Sequence, residues 1–513
     1  MNKIITKTAD LEQWRLNLKS DINFIPTMGN LHNGHQKLIS TAKNSNFNAN
    51  LVSIFVNPLQ FDNKEDLKNY PKTLDKDIEI AFSTGADAIF IPNTEDIYPP
   101  HNKNTFYLKA STELSSVLCG LKRVGHFDGV CTVVYRLLKL IQPKNLYLGE
   151  KDWQQLLIIK NLIQEKELKI NIVSVPTQRD SDGVPFSSRN KLLSENERKI
   201  LKLFSNELCN AKNIFKKDKK IDLQKLTKKL ESKNILIEYL EHLHPYNLKK
   251  VDDKDNISLL AGAIKCGETR LIDHVFLMKR NPIIAIDGPA GSGKSTITKL
   301  IAKELNLLYL DTGAMYRALC WLLLKEKIDY SKESELNKIL SKVSIIFKSN
   351  SLSNQDVFIN NFCVTEEIRS QEISSIVSKI SSIKKIREFL VNEQRKIGES
   401  GGLVAEGRDI GTTVFPDAEL KIFLTASIDE RAKRRKSELE LRGSREIDFN
   451  QLKELIRKRD YEDSTREISP LKKANDAIEI ITDGLSINEV VEKVIDIYNL
   501  NIPKEIQIES INK

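Results

Sequence analysis

Cysteine is scarce in this chain: six among 513 residues (Cys119, Cys131, Cys209, Cys266, Cys320 and Cys363), with no C-x-x-C spacing. That argues against a disulfide framework and against a zinc site, and it fits a reducing compartment. Long apolar runs are missing too, so no segment is expected to span a bilayer. The opening Met1-Asn2-Lys3-Ile4-Ile5-Thr6-Lys7 meets charge too soon for a signal peptide. A cytoplasmic protein without a membrane partner is the expectation. Charge of one sign is not concentrated either. The net +9 comes from 79 basic and 70 acidic residues spread along the chain, which gives a nucleic-acid partner little support. Runs such as Lys216-Lys217-Asp218-Lys219-Lys220 read as a solvated helix face or loop. There is no internal repeat and no strongly low-complexity segment. Only the end of the chain, with Lys504 and Lys513, reads as a loose tail.

What is present is a globular composition, 40% hydrophobic and 29% charged, at a length that suits roughly two to four domains. Ile22-Asn23-Phe24-Ile25-Pro26 predicts a buried strand, followed by a helix from about His35 to Ser45. Leu51 to Val56 and Ala88 to Ile91 predict further strands. Strands alternating with helices predict a parallel sheet covered on both faces. From Asp180 to Met278 the chain is helical and Lys-rich and ends in short strands around Arg270-Leu271-Ile272-Asp273. Pro282 then breaks what precedes it, and Ile283-Ile284-Ala285-Ile286-Asp287 opens a second β/α pattern. The boundaries are therefore 1–179, 180–280 and 281–513.

Chemistry in the first half starts at Pro26-Thr27-Met28-Gly29-Asn30-Leu31-His32-Asn33-Gly34-His35. Gly29 permits a tight turn, and Gly34 lets backbone approach a phosphate. Two histidines three residues apart at a helix N-terminus can face one anion and stabilise charge on a leaving pyrophosphate. Two partly buried histidines or a metal pair would show the same spacing. Further candidates follow predicted strands. Gln60 lies in Asn57-Pro58-Leu59-Gln60-Phe61, at a carboxyl end where sheet ligands bind. Lys151 and Gln155 lie in Gly149-Glu150-Lys151-Asp152-Trp153-Gln154-Gln155. Phe186-Ser187-Ser188-Arg189-Asn190 offers two hydroxyls and a guanidinium for phosphate.

Together with Arg123-Val124-Gly125-His126-Phe127-Asp128-Gly129-Val130, these five blocks in this order resemble the pantothenate synthetases across about residues 1–278. The resemblance implies a Rossmann-like nucleotidyltransferase domain with a small α+β subdomain. It also implies two steps in one site. Pantoate attacks the ATP α-phosphate to give pantoyl adenylate, and β-alanine then attacks that adenylate. By the same resemblance His32, His35 and Lys151 are catalytic, with His35 the proton donor. ATP would lie against Met28, Gly29, Asn30, Leu31, His32, Asn33, Gly34 and His35, against Gly149, Glu150, Lys151 and Asp152, and against Gln178, Phe186, Ser187, Ser188 and Arg189. Gln60 and Gln155 would hold pantoate, with β-alanine near Gln60. Mg²⁺ would bridge the phosphates, and a homodimer would form through this half. Trp153 and Phe186 stand where other apolar or aromatic residues are expected. Another adenylyl- or cytidylyltransferase is the alternative for this half.

In the second half, Gly288-Pro289-Ala290-Gly291-Ser292-Gly293-Lys294-Ser295-Thr296 has the Walker A spacing between a predicted strand and helix. Its backbone N–H groups would cradle ATP phosphates, Lys294 would reach the β- and γ-phosphates, and Ser295 would ligate Mg²⁺. Arg317 could pair with a monophosphate. Arg431, Arg434 and Arg435 read either as a solvated basic helix or as lid arginines. Asp311-Thr312-Gly313-Ala314-Met315-Tyr316-Arg317, Glu406-Gly407-Arg408-Asp409-Ile410-Gly411-Thr412, Phe415-Pro416-Asp417-Ala418 and the stretch from Arg459-Asp460 to Pro470-Leu471 resemble bacterial cytidylate kinases across about 282–500. The resemblance implies a P-loop nucleoside monophosphate kinase domain. CMP or dCMP would be surrounded by Thr312, Tyr316, Arg317, Arg387, Asp409, Arg459 and Arg466, with Arg408 and Asp409 catalytic. Val343 to Thr365 would form a small insert for the monophosphate. Glu406 stands where an Asp is expected. The two halves in one chain resemble a fused cyanobacterial arrangement. A UMP/CMP or adenylate-type kinase, and an ATP-sensing module with dead sites, are the alternatives.

Overall fold

The structure, a computed structural model, describes residues 2–45, 48–62, 64–99, 107–349, 355–441 and 448–511. The chain forms two compact units. One comprises Met1–Lys279 with Pro503–Ile506, and the other Arg280–Ile502 with Gln507–Lys513.

The first unit is built on six parallel strands: β1 (Lys3–Ile5), β2 (Ile22–Thr27), β3 (Ala49–Ile54), β4 (Ala88–Phe90), β5 (Asn145–Gly149) and β6 (Asn171–Val175). They run in the order β1-β4-β3-β2-β5-β6. Helices on both faces explain why β3 is buried at every residue and β2 at all but Pro26. The order reverses between β2 and β5, and this switch point is where an open parallel sheet leaves a crevice at its strand ends. The second part of the unit carries a three-stranded antiparallel sheet, β7 (Leu236–Leu243), β8 (Ile257–Cys266) and β9 (Thr269–Met278). The helices Glu195–Asp218 and Leu223–Glu231 cover it, and Leu201, Phe204, Leu208, Leu260, Leu271 and Leu277 sit in their common core. β8 and β9 are ten residues each, much longer than the short strands expected around Arg270. Their hairpin pairs Ile257 with Met278 through to Cys266 with Thr269.

The second unit has its own parallel sheet. The strands are β10 (Ile283–Asp287), β11 (Leu308–Asp311), β15 (Leu403–Gly407), β16 (Leu420–Thr425) and β17 (Ile478–Ile481), in the order β11-β15-β10-β16-β17. Between them β12 (Ile345–Ser349), β13 (Gln355–Ile359) and β14 (Phe362–Cys363) pair antiparallel. They occupy the Val343–Thr365 stretch, of which 350–354 lie outside the described residues. A separate apolar core joins the helix Thr312–Lys325 to β13, β15 and the helix Lys384–Ile397. The end of the chain is not wholly loose, because Lys504–Ile511 is helical.

No helix among the described residues is long and apolar enough to cross a membrane.

Candidate active sites

The turn after β2 brings the first site together. Gly29 adopts φ +82° and Asn30 φ +49°, a left-handed reversal that glycine accepts without cost. A Cβ on Gly29 would also meet Asp77 Oδ2 at 3.0 Å. The buried Asp77 carboxylate accepts from the backbone N–H groups of Asn30 and Leu31, both at 2.8 Å. His32 precedes the helix Asn33–Ser45, and His35 lies in its first turn. Both rings have one nitrogen occupied by backbone. The His32 N–H donates to His35 Nδ1 at 3.3 Å, and the Gly34 N–H to His32 Nδ1 at 3.2 Å. Burial, followed by His35 and Lys151, lowers the His32 pKa to about 3. Burial lowers that of His35 to about 4. Neutral rings whose Nδ1 accepts carry their proton on Nε2. The two imidazoles lie with centroids 4.1 Å apart and their planes tilted by 33°.

A cavity of about 280 Å³ opens beside them. It is lined by Met28, His32, Gly34, His35, Gln60, Gly149, Lys151, Asp152, Gln155, Gln178, Phe186, Ser187, Ser188 and Arg189. Gln60 is fixed by Asn57, whose Nδ2 donates to Gln60 Oε1 at 3.0 Å, while Gln60 Nε2 donates to Met28 Sδ at 3.0 Å. Burial opposes ionisation of Asp152, but the neighbouring Lys151 ammonium outweighs it and the pKa is lowered. Gly29, Asn30, Leu31 and Asn33 do not line the cavity. Asn30 instead braces the site, donating to the Ser188 carbonyl and accepting from Lys191.

Glu150 turns away from the cavity, against its expected place on ATP. Its side chain is fully buried and accepts from Ser174 Oγ at 2.8 Å and from the backbone N–H groups of Lys504 and Glu505. Glu150–Asp152 forms a single turn of 3-10 helix after Gly149, which turns Glu150 inward while Lys151 and Asp152 line the cavity. Burial, followed by the nearby Glu505, raises the Glu150 pKa to about 7.

Sequence reasoning had no signal for Asp77, whose spacing from His32 reveals nothing about their meeting. It also passed over individual roles for Arg123 and His126. His126 Nδ1 donates to the Gln60 carbonyl at 2.6 Å, and Arg123 Nη1 donates to its Nε2 at 3.1 Å.

The second site forms where β10 and β15 run side by side, with Ile286 opposite Glu406 and Asp287 opposite Gly407. Gly288 has φ +151°, and a Cβ there would lie 2.0 Å from the Leu424 carbonyl oxygen, so only glycine fits. The helix starts at Lys294, with the loop's N–H groups at its N-terminus, where anions are favoured. A cavity of about 360 Å³ is lined there by Ala290, Gly291, Lys294 and Ser295. Gly288, Pro289, Ser292, Gly293 and Thr296 shape the loop without lining the cavity. Thr312, Tyr316, Arg317, Arg387, Arg408, Asp409, Arg459 and Arg466 all line it. Seven cationic side chains there face four carboxylates, a balance suited to phosphate.

Lys294 is buried, and burial, followed by Arg408, pushes its pKa well down. Arg387 Nη1 donates to the Tyr316 hydroxyl at 2.9 Å and pairs with Asp409 at 3.4 Å. Arg408 pairs with Asp463 at 2.8 Å and donates to the Gly288 carbonyl at 2.8 Å. Glu406 accepts from Ser295 Oγ at 2.9 Å and from the Tyr309 hydroxyl. Of the three helix arginines, Arg435 lines the cavity. Arg431 is bound bidentately to Asp460, and Arg434 to Glu430 and Thr482.

The geometry defines two nucleotide-handling units in one chain. One is a sheet-switch-point site with paired histidines, and the other a P-loop phosphoryl-transfer site. Residues 3–276 match the family model for pantoate-beta-alanine ligase, and 284–500 that for cytidylate kinase. A bifunctional pantoate ligase/cytidylate kinase from Prochlorococcus marinus subsp. pastoris is 84% identical over 99% of this chain and 100% of its own. Its counterpart in another Prochlorococcus marinus strain is 74% identical, covering 98% of this chain and 99% of its own. A crystal structure of pantothenate synthetase from Thermus thermophilus is 33% identical, covering 53% of this chain and 98% of that one, with a TM-score of 0.49. The chain belongs to the family of bifunctional pantoate ligase/cytidylate kinases.

Proposed function

We propose that the two cavities are the active sites of the two activities of this family and that each works alone. The chain is a bifunctional enzyme, making pantothenate from pantoate and β-alanine with ATP and phosphorylating CMP with ATP. The observation that carries the first assignment is the shared Nε2–H tautomer of His32 and His35, fixed by backbone donors to both Nδ1 atoms. Two neutral N–H groups, set at a helix N-terminus beside Lys151, donate to the phosphates of ATP. As the pantoate carboxylate attacks the α-phosphorus, the bond to pyrophosphate breaks and negative charge grows on the departing oxygens. The histidines and Lys151 stabilise that charge where it develops. An arriving polyanion raises the pKa of both rings, so His35 can take up a second proton from solvent and, as an imidazolium, pass one proton to the leaving group and return to the neutral ring. Gln60 and Gln155 hold the hydroxyls of pantoate, and Ser187, Ser188 and Arg189 hold phosphate. The β-alanine amine then attacks the acyl carbon of pantoyl adenylate, and AMP leaves.

In the second site the P-loop N–H groups and Lys294 hold the β- and γ-phosphates, while Arg317, Arg387 and Arg466 hold the monophosphate of CMP or dCMP. Arg408 and Arg459 face the moving phosphoryl group, and Asp409 meets the sugar. The Ser295 hydroxyl and Glu406 carboxylate form an oxygen pair suited to Mg²⁺. Bound there, the ion would neutralise phosphate charge. Glu406, one methylene longer than Asp, reaches Ser295 and Tyr309 together. Cytoplasmic location and a homodimer through the ligase half complete the reading.

The test is a pair of assays on the full chain. One reads AMP with pantoate, β-alanine and ATP; the other reads ADP with CMP and ATP. His35→Ala should lower the first rate by about 100-fold or more and leave the second intact, the loss expected when an oriented charge-stabilising donor is removed. Lys294→Ala should abolish only the second. Loss of both activities in either variant refutes independent sites.

A further inference from the structure

The first unit's cavity has a second lobe of about 160 Å³, closed by the small subdomain, where Tyr239 reaches in from β7 and Arg270 and His274 from β9. Met28, Gln60 and Gln155 line both lobes, so the second lobe leads to the acyl site. Its cationic groups are unequally provided with acceptors. Arg123 donates to the Asp62 carboxylate and the Gln60 carbonyl, Arg189 pairs with Asp66, and Lys151 with Asp152. Arg270 gives its Nε to Glu238 at 2.6 Å. Its Nη1 and Nη2 meet the Cys119 sulfur, each at 3.5 Å, and its guanidinium also lies against the Tyr239 side chain, 5.7 Å from the ring centroid, so neither Nη has a carboxylate partner among the described residues. The Tyr239 hydroxyl meets the same sulfur at 3.2 Å. A thiol is a weak acceptor, whereas a guanidinium end is a two-pronged donor matched to a carboxylate. In the same lobe His274, 5% exposed, has an Nε2 with no hydrogen-bond partner. Buried polar atoms without partners are uncommon in native proteins, and this one borders the same space.

We propose that Arg270 and Tyr239 form the subsite for the carboxylate of the incoming amine, a short ω-amino acid, with His274 as a further hydrogen-bond group. The proposal rests on the ligase reading above and names the residues that select its second substrate. β-Alanine offers two recognisable ends, and its amine must be free to react. Anchoring the carboxylate on Arg270 leaves the amine toward Gln60 and Met28. The nitrogen lone pair forms the C–N bond, and the acyl C–O bond to AMP breaks with its electron pair going to the phosphate oxygen. One proton leaves the nitrogen for solvent. The carboxylate takes no part in these steps, so its anchor affects the second half-reaction alone.

Pantoate-dependent exchange of pyrophosphate into ATP needs no amine and reads the first half-reaction. In the full chain, Arg270→Gln should keep this exchange within about twofold while raising the KM for β-alanine by about tenfold or more, as loss of a charge-assisted pair implies. Tyr239→Phe should raise that KM by a smaller factor. Wild type should use β-alaninamide poorly against β-alanine, and Arg270→Gln should lose most of that preference. An unchanged KM with intact exchange overturns the subsite and leaves the ligase reading standing. Absence of exchange in wild type overturns the ligase reading itself. Should Arg270→Gln also lose exchange, Tyr239→Phe decides by the same KM criterion.

Discussion

One carboxylate sets the geometry of the histidine loop. Asp77 is 2% exposed, and both its oxygens are used: one accepts from Asn30, the other from Leu31 and from Thr73 Oγ1 at 3.1 Å. The two backbone N–H groups sit at the left-handed turn that delivers His32 and His35. Replacing Asp77 by alanine strands both donors in a buried place, at a cost of about 1–3 kcal/mol for each group. Asp77→Ala should therefore lower the melting temperature of the ligase unit and raise the KM for ATP in pyrophosphate exchange. Asp77→Asn, which keeps one acceptor, should fall between. CMP phosphorylation should not change in either variant. An unaltered KM for ATP in Asp77→Ala would show that the loop holds its shape without this contact.

At the scale of elements, two helices of the ligase unit begin at half-buried imidazoles. His35 lies in the first turn of Asn33–Ser45, and His126 opens His126–Ile141. A helix N-terminus disfavours positive charge. Burial lowers the pKa of His126 to about 4, with Arg123 adding to the effect. With His35 also near 4 and His32 near 3, the unfolded chain binds protons between pH ~6.5 and 4 that the native rings refuse. Their contribution is complete above pH ~6.5 and is lost as pH falls toward 4. Glu150, raised to about 7, acts oppositely, because its native form takes up a proton first and gains stability on acidification. Three groups outweigh one, so the ligase unit's melting temperature should drop between pH 7 and 5. A flat or rising profile would contradict neutral, half-buried histidines.

The same elements show what a sequence can reveal. Apolar-rich runs, broken by Asn23 in β2 and Ser53 in β3, marked β2, β3 and β10 because burial on both faces leaves no alternation to read. The ten-residue β8 and β9 were less visible. Their hairpin turns at Gly267-Glu268, and polar Lys265 and Arg270 interrupt the apolar pattern near that turn. Arg270 serves the cavity, which a local pattern cannot express. The helix Lys504–Ile511 was hidden for a related reason: its first N–H groups meet Glu150, distant in sequence.

For the whole molecule, the reactive parts were legible wherever loop, spacing and strand coincide in one short segment, as at His32 to His35 and Gly288 to Thr296. Contacts assembled from distant segments were not, as when Asp77 meets Asn30 or Glu406 meets Ser295. Each unit nevertheless has apolar packing of its own, two cores around Phe204 and around Ile39 in the first and one around Leu319 and Leu390 in the second. Ligands that bind a native unit stabilise it by mass action, by about 2.7 kcal/mol at one hundred times Kd. In scanning calorimetry of the full chain, CMP should therefore raise one unfolding transition, and pantoate with a non-hydrolysable ATP analogue should raise another. Lys294→Ala should reduce nucleotide protection of the CMP-responsive transition alone, and His35→Ala that of the pantoate-responsive one. A single transition that moves with either ligand would mean that the two units unfold as one cooperative body, and each site would then be stabilised by substrates of the other.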